Sequence, residues 1–522
     1  MPKDLFLFLY ERKNEEEKMK RLKTILIVVM FITFASVSSV AGMPESELKI
    51  ARWEDINTLD PGWMTSTERE LTIMNCIYNG LVKYKEGTWE IVPDLAKSWD
   101  ISKDGREITF YLRNGVQFQK GYGEMTAEDV KFSFERIIDP KAKSPEKETW
   151  AALDHVEVIN KYTAKIVLKY PSARLFTSTL PLNAGMIVSK KAVEEMGKEK
   201  FSFSPIGTGP YEFFAWSPKR KVELKAFDGY WGEKAKIKNL VFVPIVEVST
   251  VEMALKTGEI DIGRVSLKNV KRYQEDPKIN VYSNPGLKYW WIGFTVNKPP
   301  FDNLKLREAV RYAIDVDKII QAAFFGIPKR ADQMFPPGML GYWKDAPAYK
   351  IDLNKAKELL REAGYPDGFK ATFLMWPTEE NRIIAEVVKA DLKKIGIDVD
   401  IDVKEVGAFN EATKKGENDF HISFFATTVD PGYATQWFTT GQAWNLSQWS
   451  NPEYDKLLKK AESEMDLQKR AELYVKAQKL IDKDCWAIWL TNGVKTVATQ
   501  KNVNIGKIFP NARLAPWTMS KD

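Results

Sequence analysis

The sequence predicts a mixed α/β protein of two or three folding units, on three observations. Its first half carries short alternating strands bounded by turn pairs, and its second half carries long amphipathic helices around a buried apolar strand. At 522 residues the chain is also too long for one core, since a domain typically takes about 150.

Taken in order, the elements justify that reading. Glu107-Ile108-Thr109-Phe110-Tyr111-Leu112 and Ala164-Lys165-Ile166-Val167-Leu168 alternate as half-buried strands do, with Asp104-Gly105 and Asn114-Gly115 as turns beside the first. Thr126-Ala127-Glu128-Asp129 opens a helix as a capping box does, and Val130, Phe134 and Ile137 follow at helical spacing. Gly207, Gly209 and Pro210 read as a turn that needs positive φ and a rigid exit. Beyond residue 287, Asp302 is placed to cap a helix carrying Leu306, Val310 and Ala313. Asp352 is placed to cap another, which stops at Gly364 with Pro366 just past it. Residues 381 to 395 and 452 to 481 supply further helices, and Phe420-His421-Ile422-Ser423-Phe424-Phe425 reads as a buried strand. No repeat, low-complexity tract or Gly/Ser linker separates the halves, so the crossings between units are ordered.

At the N-terminus, Met19-Lys20-Arg21-Leu22-Lys23 and the apolar run from Thr24 to Ala35 read as a secretory leader, with Ser39-Val40-Ala41 as cleavage site. The alternative is a membrane anchor, but the run is shorter than the ~20 residues a span needs. Export through a cleaved leader to a periplasmic or extracytoplasmic space is expected, with residues 1–41 lost. No Cys follows the run to carry a lipid.

Composition then narrows the chemistry. A net charge of +6 without a basic block argues against nucleic acid. Cys76 and Cys485 sit in apolar surroundings and are expected to be buried free thiols rather than a disulfide. The only histidines, His155 and His421, are distant in sequence from each other and from either Cys, so zinc sites and His-based triads or dyads lack material. No catalytic residue, metal or cofactor is predicted. Carboxylates alone could still run glycoside hydrolysis, which stays as a remote alternative.

Several motifs, in order, carry a family resemblance. They are Thr58-Leu59-Asp60-Pro61, Ile77-Tyr78-Asn79-Gly80-Leu81, Leu95-Ala96-Lys97-Ser98-Trp99-Asp100, Met125-Thr126-Ala127-Glu128-Asp129-Val130, Pro205-Ile206-Gly207-Thr208-Gly209-Pro210-Tyr211, Ala363-Gly364-Tyr365-Pro366 and Asp430-Pro431. From about residue 48 to 500 the chain resembles the family 5 solute-binding proteins, the receptors of oligopeptide, dipeptide and nickel ABC importers. The resemblance implies a two-lobed periplasmic-binding-protein-like fold (type II, cluster C-like) with an extra subdomain inserted in lobe I. Lobe I would comprise residues 44–66, 206–286 and 491–522, the insertion 67–205, and lobe II 287–490. It also implies a non-enzymatic, monomeric receptor that closes on a small solute. The receptor would deliver that solute to a permease with cytoplasmic ATPases.

The ligand stays open between peptide and oligosaccharide. Peptide binders in the family often carry an Asp three residues ahead of the Asp-Pro motif, to pair with the ligand's amino group. Here that position is Thr427, which brings a hydroxyl but no charge. Asp430 is the substitute acid. The chain holds 17 Trp, and Trp437 and Trp444 follow the motif while Trp290 and Trp291 lie beside the first crossing. Flat aromatic faces suit sugar rings, and some family members bind oligosaccharides. Of the adjacent pair on one strand, at most one faces the cleft. The expected ligand contacts are therefore Thr427, Asp430, Trp437, Trp444, Trp290 and Trp291, with Tyr78 and Asn79 from the opening motif.

Overall fold

The computed structural model describes residues 46–65, 70–509 and 511–522. The predicted leader lies outside them. Among the described residues no helix is long and apolar enough to cross a membrane.

Two sheets organise the chain into two lobes. In lobe I, seven strands lie in the order Ile279–Pro285, Val494–Gln500, Ile262–Gly263, Glu47–Arg52, Asn239–Pro244, Lys221–Ala226 and Tyr211–Ser217. Glu47–Arg52 runs parallel to both of its neighbours, and the remaining pairs are antiparallel. Alternation places Leu48, Ile50, Val222 and Leu224 in the core. The antiparallel sheet Ala96–Ile101, Glu107–Leu112, Thr163–Leu168 and Leu153–Asn160 packs against the helix Ala127–Ile138. The Asp129 carboxylate accepts the Thr126 N–H of that helix's capping box at 2.9 Å. Phe110 and Phe134 here and Leu48 and Leu224 of the seven-stranded sheet belong to one continuous core.

Lobe II is built on five strands, ordered Asp398–Val403, Lys370–Met375, Phe420–Ala426, Lys288–Phe294 and Ala487–Thr491. Both faces are covered. Helices Leu304–Ala313, Val316–Phe324, Leu353–Glu362 and Glu379–Lys393 bury Leu306, Ile319, Leu359 and Ile384 against Ile292, Phe373 and Ile422. On the other face, helices Pro452–Ser463 and Leu467–Asp484 pack Tyr454 and Tyr474 with Trp291 and Trp486. Coverage on both sides explains why Lys288–Phe294 reads as a nearly continuous apolar run instead of an alternating one. The chain passes from the first sheet to the second between Pro285 and Lys288, and returns between Thr491 and Val494.

Three local expectations are corrected. The first lobe II helix is capped by Asn303, whose side chain accepts the Lys305 N–H at 2.9 Å, and not by Asp302. The stretch 452–481 is two helices, broken where Asp466 caps the second by accepting from Gln468 N and Lys469 N. Neither Gly207 nor Gly209 has positive φ. A Cβ on Gly207 would lie 2.1 Å from the Ile77 carbonyl oxygen, and one on Gly209 2.6 Å from that of Cys76, so close backbone approach requires the glycines. Cys76 and Cys485 are free and buried, as their apolar neighbours predict.

Candidate functional site

The segment from Thr427 to Trp444 leaves the C-terminal end of strand Phe420–Ala426 where the lobes meet. Thr427 is tied to the crossing itself, its N–H donating to the Leu287 carbonyl at 2.7 Å. Its hydroxyl donates to the Thr428 carbonyl at 3.3 Å. Two residues on, Val429 packs with Tyr84, Phe509 and Ala515 of lobe I.

Asp430 is fully buried and every direction around its carboxylate is taken. Arg470 reaches it at 2.8 Å and 3.3 Å, the Gly432 N–H donates to Oδ1 at 2.8 Å as the cap of helix Pro431–Thr435, and the Thr177 hydroxyl donates to Oδ2. Arg174 stands 3.6 Å away. Burial pushes this carboxyl up, but the Arg470 charge and hydrogen bonds outweigh it and hold the group below the usual carboxylate range. Thr177 and Arg174 lie beside Phe176, which packs on Phe110 in the core of the first lobe, and the adjacent Ala173 N–H donates to the Glu462 carbonyl of lobe II at 3.1 Å. Asp430 therefore clasps the two lobes together and offers no free oxygen to a ligand.

The tryptophans divide by position. Trp437 and Trp444 come together with ring centroids 5.7 Å apart, and Phe425 lies 5.5 Å from the first and 6.0 Å from the second. Tyr433 adds its ring 5.6 Å from Trp437. Trp444 is 39% exposed and the other three are half-buried, which makes an accessible aromatic wall. Trp290 and Trp291 point to opposite faces of their strand, and both are buried. Trp290 packs on Phe424 and Phe324, away from the wall, while Trp291 stands behind it, 4.9 Å from Phe425. Tyr78 and Asn79 lie in lobe I, lining a separate cavity. The Tyr78 hydroxyl donates to the Leu59 carbonyl at 2.9 Å. The Asn79 amide donates to Asp94 at 3.0 Å and accepts from Thr208 and Trp231. They are not brought to the wall.

Arg470, Thr177, Phe425 and Tyr433 are absent from the sequence-based site. One signal pointed to Arg470: it sits on the stripe Arg470, Leu473, Tyr474, Ala477, Ile481, where a charge among apolar residues calls for a buried partner. Thr177 carries no such mark. Among the described residues no group of three or more His, Cys, Asp or Glu is placed to hold a metal.

A two-lobed α/β molecule whose strands cross twice between sheets, with an aromatic wall at the junction, has the architecture of a hinged solute-binding protein. Residues 90–446 match the model of bacterial extracellular solute-binding proteins, family 5. The chain is 31% identical over 462 residues to the dipeptide-binding protein of Escherichia coli, covering 82% of this chain and 85% of that one. Among solved structures, HbpA2 from Haemophilus parasuis superposes with a TM-score of 0.83 at 29% identity, covering 91% of this chain and all of that one. The periplasmic binding protein DppA from Helicobacter pylori, solved with the peptide STSA, gives 0.67 at 33% identity, covering 91% and 98%. The chain belongs to the family 5 solute-binding proteins of ABC transporters. It is a binding protein and not an enzyme, which sets the hydrolase alternative aside.

Proposed function

We propose that the chain captures a short peptide between its lobes and delivers it to an ABC permease, acting as an exported monomer freed from its leader near Gly42. The observation that carries this reading is the near full-length similarity to the dipeptide-binding protein of E. coli and to DppA. The wall of Phe425, Tyr433, Trp437 and Trp444 supplies apolar surface for side chains, while Thr427 hydrogen-bonds to the crossing at Leu287. Occupancy beside Thr427 thus bears directly on the hinge.

Calorimetry with di- and tripeptides tests the reading. Trp437→Ala and Trp444→Ala should each weaken a bound peptide by about 2 kcal/mol, roughly thirtyfold, as truncated aromatic anchors do. Thr427→Asp should tighten peptide binding by offering the ammonium a charge. A second reading, an oligosaccharide, is favoured by the exposure of Trp444 beside Trp437. A neutral sugar would gain nothing from Thr427→Asp. Binding that is unchanged in both Trp variants would remove the wall from the site.

A further inference from the structure

The strand Asp398–Val403 forms one end of the five-stranded sheet and pairs, among the described residues, on one side only, parallel to Lys370–Met375. The flanking bonds fix which way its backbone points. The Asp398 N–H donates to the Phe369 carbonyl and the Lys404 N–H to that of Met375, each at 2.9 Å, so with a period of two the backbone groups of the even positions face the sheet. The N–H and C=O of Val399, Ile401 and Val403 therefore point off the edge, and no backbone group of the described residues meets them there. Edges are commonly blunted by a bulge, a proline or a lysine. This one contains none of them, and its register to Lys370–Met375 is unbroken over all 6 residues.

The sequence of the strand, Asp-Val-Asp-Ile-Asp-Val, alternates acids with branched apolar residues, so its two faces differ. On one face Val399 is buried with Ile384 and Val388 of helix Glu379–Lys393, Ile401 is half-buried and Val403 is 52% exposed. Between this face and the helix runs a groove of about 500 Å³, with Met375, Pro377, Ile401 and Val403 as its apolar lining and Arg382 and Glu386 on its helix side. Arg382 is paired with Glu379 at 2.7 Å, and Glu386 makes the balance of the groove negative. On the other face Asp402 pairs with Lys404 at 2.9 Å, whereas Asp398 and Asp400 are exposed and have no ion-pair partner among the described residues. A strand added here would meet backbone donors and acceptors, an apolar groove on one side and a row of acids on the other. A second copy of the same edge does not fit, because antiparallel pairing of two copies sets Asp opposite Asp. The complementary occupant is an extended segment in which Lys or Arg alternates with Val, Ile or Leu.

The geometry points to this edge as a docking site for such a segment of a partner protein, which adds as a further strand with its apolar side chains in the groove and its cations on Asp398 and Asp400. The site is separated by Lys370–Met375 from the strand that carries the aromatic wall, and it does not depend on what the cleft binds. The probe is acetyl-Lys-Val-Lys-Ile-Lys-Val-amide, titrated by calorimetry and mapped by hydrogen exchange on the wild type, Asp400→Lys, Val403→Pro and the double variant Trp437→Ala/Trp444→Ala. The wild type should bind it with slowed exchange across residues 398–404. Asp400→Lys replaces an attraction by a repulsion and should weaken binding about fivefold or more. Val403→Pro deletes an outward N–H and no bond of the sheet, and should weaken binding about tenfold. The double Trp variant should bind the probe as the wild type does, so failure of the wall and failure of this edge are seen separately. The acidic counterpart acetyl-Glu-Val-Glu-Ile-Glu-Val-amide should not bind. Thermal unfolding checks that each variant is folded, and the basic probe N-methylated at alternate residues tests the same backbone bonds without altering the protein. Unchanged exchange across residues 398–404, equal binding of the acidic probe, or binding lost in the double Trp variant but kept in Asp400→Lys overturns the site and leaves the acids as a guard against edge pairing.

Discussion

Asp430 and Arg470 form an ion pair in which neither side chain has any exposure, and such pairs are costly to break from one side. Asp430→Asn leaves Arg470 buried with its charge uncompensated and should cost about 3 kcal/mol or more in chemical denaturation. Because the folded carboxyl lies below its unfolded range, its contribution is present above about pH 4 and is lost as the pH falls through the folded value. His421 acts at higher pH. Burial holds it neutral down to about 3, whereas in the unfolded chain it takes a proton near 6.5. Stability should therefore fall as the pH drops from about 6.5 to about 3, by on the order of 4–5 kcal/mol over the whole window. Asp94, pushed up to about 6 by burial, works in the opposite sense, with its share lost as the pH rises through 6. The difference between wild-type and His421→Gln denaturation curves isolates the histidine, since Asp94 is common to both. Parallel curves between pH 6.5 and 4.5 would show that His421 is hydrated or charged in the fold.

Elements differ in how far sequence reveals them. Asp352 caps its helix by accepting the Lys355 N–H at 2.9 Å and Gly364 closes it at φ +88°, both as the sequence predicts, because caps are settled within a few residues. Asn303 displaces its neighbour Asp302 because either residue type can cap and only the path of the chain chooses. The turn at Gly207 was legible as a turn, yet its cause lies in the Ile77 carbonyl 130 positions earlier. Gly207→Ala should accordingly cost about 3 kcal/mol or prevent accumulation of folded protein, since backbone and not a movable side chain blocks the methyl group. Wild-type melting for that variant would overturn the close approach. Trp437 and Trp444 were legible as candidates because they follow a motif, and the fold brings their rings 5.7 Å apart. Asp430 was legible as important, but its partners arrive from 40 and 253 residues away and no local pattern places them.

The contacts that cross the junction include the Asp430 clasp with Thr177 and Arg174, the Ala173 bond to Glu462, and Val429 against Tyr84 and Phe509. Thr177→Val removes one hydroxyl from that set without touching the core of either lobe. It should raise the open fraction, seen as a larger radius of gyration by small-angle scattering without ligand, and weaken ligand binding in proportion to the lost closed population. Saturating ligand should return the radius to the wild-type value. A radius unchanged in Thr177→Val would mean that the clasp is incidental to closure.

The place of Val494–Gln500 within the seven-stranded sheet bears on when each lobe can form. Lobe II's five strands come from one unbroken stretch between Lys288 and Thr491, so it has everything it needs once that stretch has left the ribosome. Lobe I begins at Glu47 but stays divided, with Ile279–Pro285 unable to join the rest until Val494–Gln500 arrives to lie between it and Ile262–Gly263. The half that is synthesised first is thus completed last. A chain ended after Gly493 should show slow amide exchange in the lobe II strands and fast exchange in Ile279–Pro285, in contrast to protection of both in the full-length protein.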